Sequence, residues 1–189
     1  DEANIISTPA FTKDRVFVGN QLGRMNGYSY KTGKRKWTFK TEGAVFSSPA
    51  VSDDRLLFGS ADGYVYCLDN KKGKLIWKYK TGAAVLGCPL VHGDTVFIGG
   101  SDHHYRALSI RSGVLIWDFD GLQGPVVSTP LWYEGKLIFG AWDRHLYALS
   151  GTNGQLLWKW NNGSSVRNYS PASCIPVAAD GVVYIMAPD

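Results

Sequence analysis

The chain has 189 residues and a net charge of +4, with 20 basic and 16 acidic residues spread along its length. That is enough chain for a sizeable core, and the scattered charge argues against a nucleic-acid face. No window approaches 18 uninterrupted apolar residues, which excludes a membrane-spanning helix, and the 13% aromatic content suits packed β structure.

Read from the N-terminus, one pattern recurs. The first copy is marked by Pro9, Gly19, Gly33 and Trp37, and the second by Pro49, Gly59, Gly73 and Trp77. The third carries Pro89, Gly99, Gly113 and Trp117, and the fourth Pro130, Gly140, Gly154 and Trp158. Each series steps by 40, 40 and 41 residues. Four residue types in one period define a repeat whose units bury their apolar faces against their neighbours.

The second copy displays the elements. Ser47–Val51 is a short apolar run, Asp53-Asp54 a turn, and Arg55–Gly59 a second run. Ala61-Asp62-Gly63 turns into Tyr64–Leu68, and Asn70–Gly73 turns into Lys74–Lys80. The runs are rich in β-branched and aromatic residues and are closed by Gly, Asp or Asn, which accept the positive φ of tight turns. No stretch has a capped i, i+3, i+4 apolar pattern, so almost no helix is predicted.

Four short strands in every 40 or so residues predict an all-β chain, a β-propeller of four-stranded antiparallel blades. Residues 1–40, 41–80, 81–120 and 121–165 read as four complete blades, and 166–189 as a partial fifth. The fifth copy runs Ser173–Pro176 and Asp180–Met186, and Asp189 has the phase of Asp62, Asp102 and Asp143. Its third and fourth strands are missing. Asp1, in the phase of Thr41, does not supply them. The expectation is a fragment of a ring of about seven or eight blades, with open edges through which copies could self-associate.

The repeated residues have physical roles. The Gly19 series ends the second strand, where a side chain would hit the next blade, and the Gly33 series supplies the left-handed residue of a turn. Each repeated Trp can bury ~150–250 Å², roughly 4–6 kcal/mol gross before entropy is counted. Cys67, Cys88 and Cys174 are odd in number, non-adjacent, and fall at small-residue positions, which points to packing rather than metal or redox chemistry.

The segment Leu68-Asp69-Asn70-Lys71-Lys72-Gly73-Lys74-Leu75-Ile76-Trp77 resembles the tryptophan docking motif of the quinoprotein-like propellers, the PQQ-like repeat family. Thr32-Gly33-Lys34-Arg35-Lys36-Trp37 matches its end, and the segments Ala107–Trp117 and Ala148–Trp158 match its Ala, Gly and Trp. The resemblance covers nearly the whole chain. In that family the motif ties blade to blade, which would make Trp37, Trp77, Trp117 and Trp158 structural. The family includes quinone-dependent alcohol and sugar dehydrogenases. It also includes cofactor-free propellers, among them an outer-membrane assembly lipoprotein and propellers fused to phosphoesterase or kinase domains. The dehydrogenases resemble one another in an adjacent-cysteine disulfide and a calcium-binding Glu/Asn/Asp set, neither of which can be placed here. The resemblance therefore implies no cofactor, with the quinone PQQ and calcium disfavoured, and an extracytoplasmic location.

Propeller ligands usually meet the loops at one end of the ring. On the end carrying the second-to-third-strand turns and the blade-to-blade linkers, the repeat departs from its template. Asp62-Gly63-Tyr64 becomes Asp102-His103-His104 and then Asp143-Arg144-His145, Trp142 replaces Ala61, and the link after Trp160 is five residues longer and holds Arg167 and Tyr169. His103, His104, Trp142, Arg144, His145, Arg167 and Tyr169 are the candidate residues for a ligand or partner. The recurring Asp62, Asp102 and Asp143 read as turn caps. His103 and His104 are adjacent and would point apart in a strand, which disfavours a metal pair. Asn162-Gly163-Ser164 and Asn168-Tyr169-Ser170 match glycosylation acceptors. No nucleophile elbow, P-loop, HExxH or CxxC occurs. The expected function is a non-catalytic propeller segment that binds a protein or small ligand within a larger protein. The alternative is part of a quinone-dependent dehydrogenase, or an accessory to a phosphoesterase or kinase-type enzyme.

Overall fold

A computed structural model describes residues 4–161 and 171–186. Four antiparallel sheets follow one another along the chain, each with its strands in sequence order. The first holds β1 (Ala10–Phe11), β2 (Arg15–Gly19), β3 (Arg24–Ser29) and β4 (Arg35–Lys40). The second holds β5 (Ala50–Ser52), β6 (Arg55–Gly59), β7 (Tyr64–Asp69) and β8 (Leu75–Lys80). The third holds β9 (Leu90–His92), β10 (Thr95–Gly99), β11 (Tyr105–Ser109) and β12 (Leu115–Phe119). The fourth holds β13 (Leu131–Tyr133), β14 (Lys136–Gly140), β15 (Leu146–Ser150) and β16 (Leu156–Trp160). A two-stranded sheet of β17 (Val177–Ala179) and β18 (Val182–Tyr184) follows, preceded by a three-residue 3-10 turn at Pro171–Ser173.

These are propeller blades. The first strand of each is shorter than the sequence suggests: β5 begins at Ala50 rather than Ser47. Pro49 has no N–H to give a ladder. The serines before it tie neighbouring blades instead, with Ser47 Oγ donating to the Gly87 carbonyl at 2.8 Å and Thr8 N donating to Ser48 Oγ at 2.9 Å.

The core lies between blades rather than within them. Phe17 and Met25 of the first pack with Leu56, Phe58 and Leu68 of the second. Leu57 and Cys67 of the second pack with Val96, Ile98 and Leu108 of the third. Phe97 and Tyr105 of the third pack with Leu137, Phe139 and Tyr147 of the fourth, where the Tyr105 and Phe139 rings stack 4.0 Å apart. Cys67 is buried, and burial pushes its thiol up to about 12, against the opposing pull of Arg55.

Indoles join each blade to the next. Trp37 Nε1 donates to the Asn70 carbonyl at 3.2 Å, Trp77 to Ile110 at 2.9 Å and Trp117 to Gly151 at 3.2 Å. In its own blade each Trp lies opposite a small residue: Gly27, Cys67, Ala107 and, for Trp158, Ala148. On the far side the ring meets the third turn of the next blade, where Gly73, Gly113 and Gly154 face Trp37, Trp77 and Trp117. These glycines therefore answer two demands, a positive φ of 67–73° and room for an indole. Trp158 is half-buried among Leu146, Val183 and Ile185, and its indole N–H has no acceptor among the described residues.

A second joint lies at the linker end. The turn-capping reading of Asp62, Asp102 and Asp143 is incomplete, because each carboxylate also accepts a linker N–H from the preceding blade. Glu42 N reaches Asp62 at 3.0 Å, Gly82 N reaches Asp102 at 2.8 Å and Gln123 N reaches Asp143 at 3.0 Å. Its other partner lies four residues on. Tyr66 and Tyr147 donate their hydroxyls at 2.8 and 2.6 Å, and burial first, then the carboxylate, raise both phenols above their ordinary range. The third blade has Arg106 there instead, which grips Asp102 with two bonds of 3.0 and 2.7 Å. Burial would raise the Asp102 carboxyl, but the Arg106 hydrogen bond, the Gly82 N–H and the guanidinium charge outweigh it and hold the group below the usual range.

Two outcomes are expected. Gly113→Ala should cost about 2 kcal/mol or more, because the new Cβ would lie 2.6 Å from the Trp77 ring at a positive φ. Gly33→Ala, in open space at φ 66°, should cost about 1 kcal/mol. Equal losses in denaturant melts would remove the indole contact as the reason for the glycine. Asp102→Asn, which leaves buried Arg106 with only the more distant Asp118 as a carboxylate partner, 3.6 Å away, should cost about 3 kcal/mol at pH 7. A carboxyl depressed in the folded state stabilises above its unfolded pKa and ceases to do so as pH falls through its folded value. The gap between wild type and Asp102→Asn should therefore narrow below about pH 4; a gap constant from pH 7 to 2.5 would argue against an ionised strap.

Candidate functional site

The linker end of the third and fourth blades forms a cleft of about 600 Å³. Its walls come from three places. Ser101 and His103 stand on the second turn of the third blade, Trp142 on that of the fourth, and Gln123, Gly124, Pro125 and Val127 on the linker between them, with Leu86 at the back. The strap positions the linker: Gln123 N is held by Asp143, Trp142 N donates to the Pro125 carbonyl at 3.0 Å, and Val126 N to Gly100 at 3.4 Å.

The turn conformations are unusual. In the first two blades the residue after the capping position is Gly23 or Gly63, at φ 67° and 79°. In the third and fourth it is His103 at φ 66° and Arg144 at φ 73°. An L-residue held there costs roughly 1–2 kcal/mol. Such strain gathers at functional sites, where the surroundings enforce it. At the third turn the enforcing group is Asp102, clamped by Arg106.

The candidate residues separate. His103 and Trp142 meet in the cleft, and Trp142 is 38% exposed. His104 turns away, its Nδ1 lying 2.9 Å from an Asp118 oxygen. His145 also leaves, with Nδ1 3.0 Å from the Asp143 carbonyl and Nε2 3.0 Å from Asn161 Nδ2. Arg144 shapes the fourth turn, its N donating to the Ala141 carbonyl at 3.2 Å. Arg167, Tyr169 and both glycosylation triplets lie outside the described residues. The linker residues Gln123, Pro125 and Val127 were not anticipated. The 41-residue step between the third and fourth copies marks an insertion beside them, and Gln123 replaces Gly82 of the preceding linker.

A second cavity of about 490 Å³ lies between the fourth blade and the two-stranded sheet, lined by Leu146, Trp158, Lys159, Trp160, Val183 and Ile185. It continues the apolar packing of those sheets. Among the described residues no three His, Cys, Asp or Glu side chains gather into a group that could hold a metal ion.

Known structures share this architecture. BamB from Moraxella catarrhalis superposes with a TM-score of 0.77 at 20% identity, over 96% of this chain and 54% of that one. A computationally designed protein, Ika8, gives 0.80 at 20% identity, over 95% and 54%. The quinohemoprotein alcohol dehydrogenase ADHIIG from Pseudomonas putida HK5 gives 0.79 at 15%, over 97% and 38%. At these identities the likeness is one of fold, and the chain spans about half the length of the first two. No curated protein matches its sequence. The family model described as "Outer membrane protein assembly factor BamB" matches residues 31–187, most of the chain, and the chain belongs to that PQQ-type repeat family.

Proposed function

We propose that this chain is a non-catalytic propeller scaffold that holds a protein partner in the cleft between its third and fourth blades, within a longer extracytoplasmic protein. One observation carries the reading: His103 keeps a strained backbone on the cleft wall where the same turn in the first two blades has glycine. A position that only had to turn the chain would lose nothing by being glycine. The family description, an assembly factor, favours a protein over a metabolite, and assembly at an outer membrane favours the extracytoplasmic side. Among the described residues no helix is long and apolar enough to cross a membrane. Among the described residues the cleft wall holds no carboxylate, cysteine or lysine, which favours binding over chemistry.

The test separates stability from binding. His103→Gly should raise stability by about 1 kcal/mol in denaturant melts, by relieving the left-handed residue. In the full protein in its own cells, a photoreactive side chain at position 123 should crosslink one partner. That adduct should be lost in His103→Gly and in Trp142→Ala. The same side chain at Asn153, on the opposite end, should yield none. Equal adducts at 123 and 153, or an adduct indifferent to both substitutions, would defeat the reading.

A further inference from the structure

A second surface lies at the end opposite the cleft, and it stands whether or not the cleft binds anything. Each blade's third turn and the start of its fourth strand sit on that end. They follow one another around the rim, because the indoles of the first three blades each seat on the next blade's third turn. The four copies of this segment change in one direction. The first opens β4 with Lys34-Arg35-Lys36, and the second has Lys71-Lys72 in its turn and Lys74-Leu75-Ile76 after it. The third reads Val114-Leu115-Ile116 and the fourth Gln155-Leu156-Leu157. All of these residues are exposed, Val114 by 63% and Ile116 by 51%. The rim therefore passes from basic to aliphatic across four adjacent blades. The fourth strands are the outermost of their sheets, and such edges are normally blunted by charge, lysine above all. The first blade follows that rule, whereas the third and fourth present aliphatic side chains. The carboxylates beside the two basic turns already have partners: Asp69 accepts from Lys71 N and Lys72 N at 2.8 and 2.7 Å, and Asp14 and Asp54 lie 3.4 and 4.0 Å from Arg15 and Arg55.

What covers this rim must be anionic, must receive aliphatic side chains, and must reach four blades at once. A peptide strand adds to one sheet edge at a time, and these edges belong to four separate sheets. A nucleic-acid backbone would take the lysines but would leave the aliphatic side chains of the third and fourth copies without a partner. An acidic protein is gripped most specifically by arginine forks, whereas five of the six cations in Lys34–Lys36, Lys71-Lys72 and Lys74 are lysines, point charges on flexible stems. An anionic bilayer surface meets each demand. It is a plane that turns at one end of successive blades can reach together. Lysines suit its diffuse negative potential, and aliphatic side chains enter the boundary between headgroups and acyl chains. We propose that the third-turn rim is a peripheral docking surface for an anionic lipid membrane, with the basic turns of the first two blades on the headgroups and Val114, Ile116 and Leu157 in the boundary layer. The cleft, at the other end, then faces away from the lipid.

The experiment is co-sedimentation of the full protein with vesicles of phosphatidylcholine that hold about one-third phosphatidylglycerol, and with phosphatidylcholine alone. Binding should need the phosphatidylglycerol and weaken several-fold as salt rises to about 0.15 M. Lys34→Gln, Arg35→Gln and Lys36→Gln together should lower the affinity about tenfold or more. Lys40→Gln, Lys78→Gln and Lys159→Gln together remove the same charge from the linker end of the outer strands and should change it by less than about twofold. Val114→Ser with Ile116→Ser should lower it several-fold at unchanged charge. All of these positions are exposed, and denaturant melts should show the three variants as stable as the wild type. In the unsubstituted protein a photoreactive side chain at position 114 should form lipid adducts, and one at position 123 should form none. No sedimentation with the anionic vesicles, equal losses in the two charge-removing variants, or undiminished affinity in the Val114 and Ile116 variant would overturn the proposal. So would binding of polyglutamate or duplex DNA as tight as that of the anionic vesicles.

Discussion

The structure depends on a joint between blades. An indole leaves the fourth strand of one blade, lies on a glycine of the next blade's third turn and gives its N–H to a carbonyl close by. Each part requires the others. The ring needs a small residue opposite it in its own sheet and no Cβ at the turn it covers. A single sheet has two faces and a narrow interior, so almost all the apolar burial in this chain is between neighbours. Stability is then a sum over joints, as in other repeat proteins.

The aspartate strap is the same idea carried out with charge at the other end of the wedge. A carboxylate in the second turn takes a linker N–H from the blade before it, which fixes the linker relative to the turn. Where the strap is completed by a tyrosine hydroxyl, the partner is neutral. In the third blade it is completed by Arg106, which also lies 3.6 Å from Asp118, and Asp118 in turn meets His104. This denser network sits under the turn that holds His103 in its left-handed conformation. The cleft is therefore built on the most heavily cross-linked turn described, and its strain is held by groups that a binding surface does not otherwise need.

Much of this was legible from spacing alone. The strand boundaries of the second copy fall within a few residues of those observed, because the Gly, Asp and Asn turn signals are local chemistry. The glycines of the third turn read correctly as left-handed, but the indole pressed on each belongs to a residue 36 or 37 positions earlier. The aspartates read as turn caps because the bond to their own turn is local, whereas the linker amide lies 20 residues upstream. The described candidate residues are placed apart: His104 and His145 turn to nearby polar partners, whereas His103 and Trp142 line the same cleft.

The repeat alone determined the fold, because four residue types recurring in phase leave one way to bury the apolar faces, each sheet against the next. It also marked the turns where this copy of the pattern departs from itself. Tertiary structure decided which departures act together. A cleft is made of walls from different blades, and no single repeat contains the information that Gln123, His103 and Trp142 converge. That depends on how far each wedge turns relative to its neighbour, which is set by the sizes of the side chains packed between them.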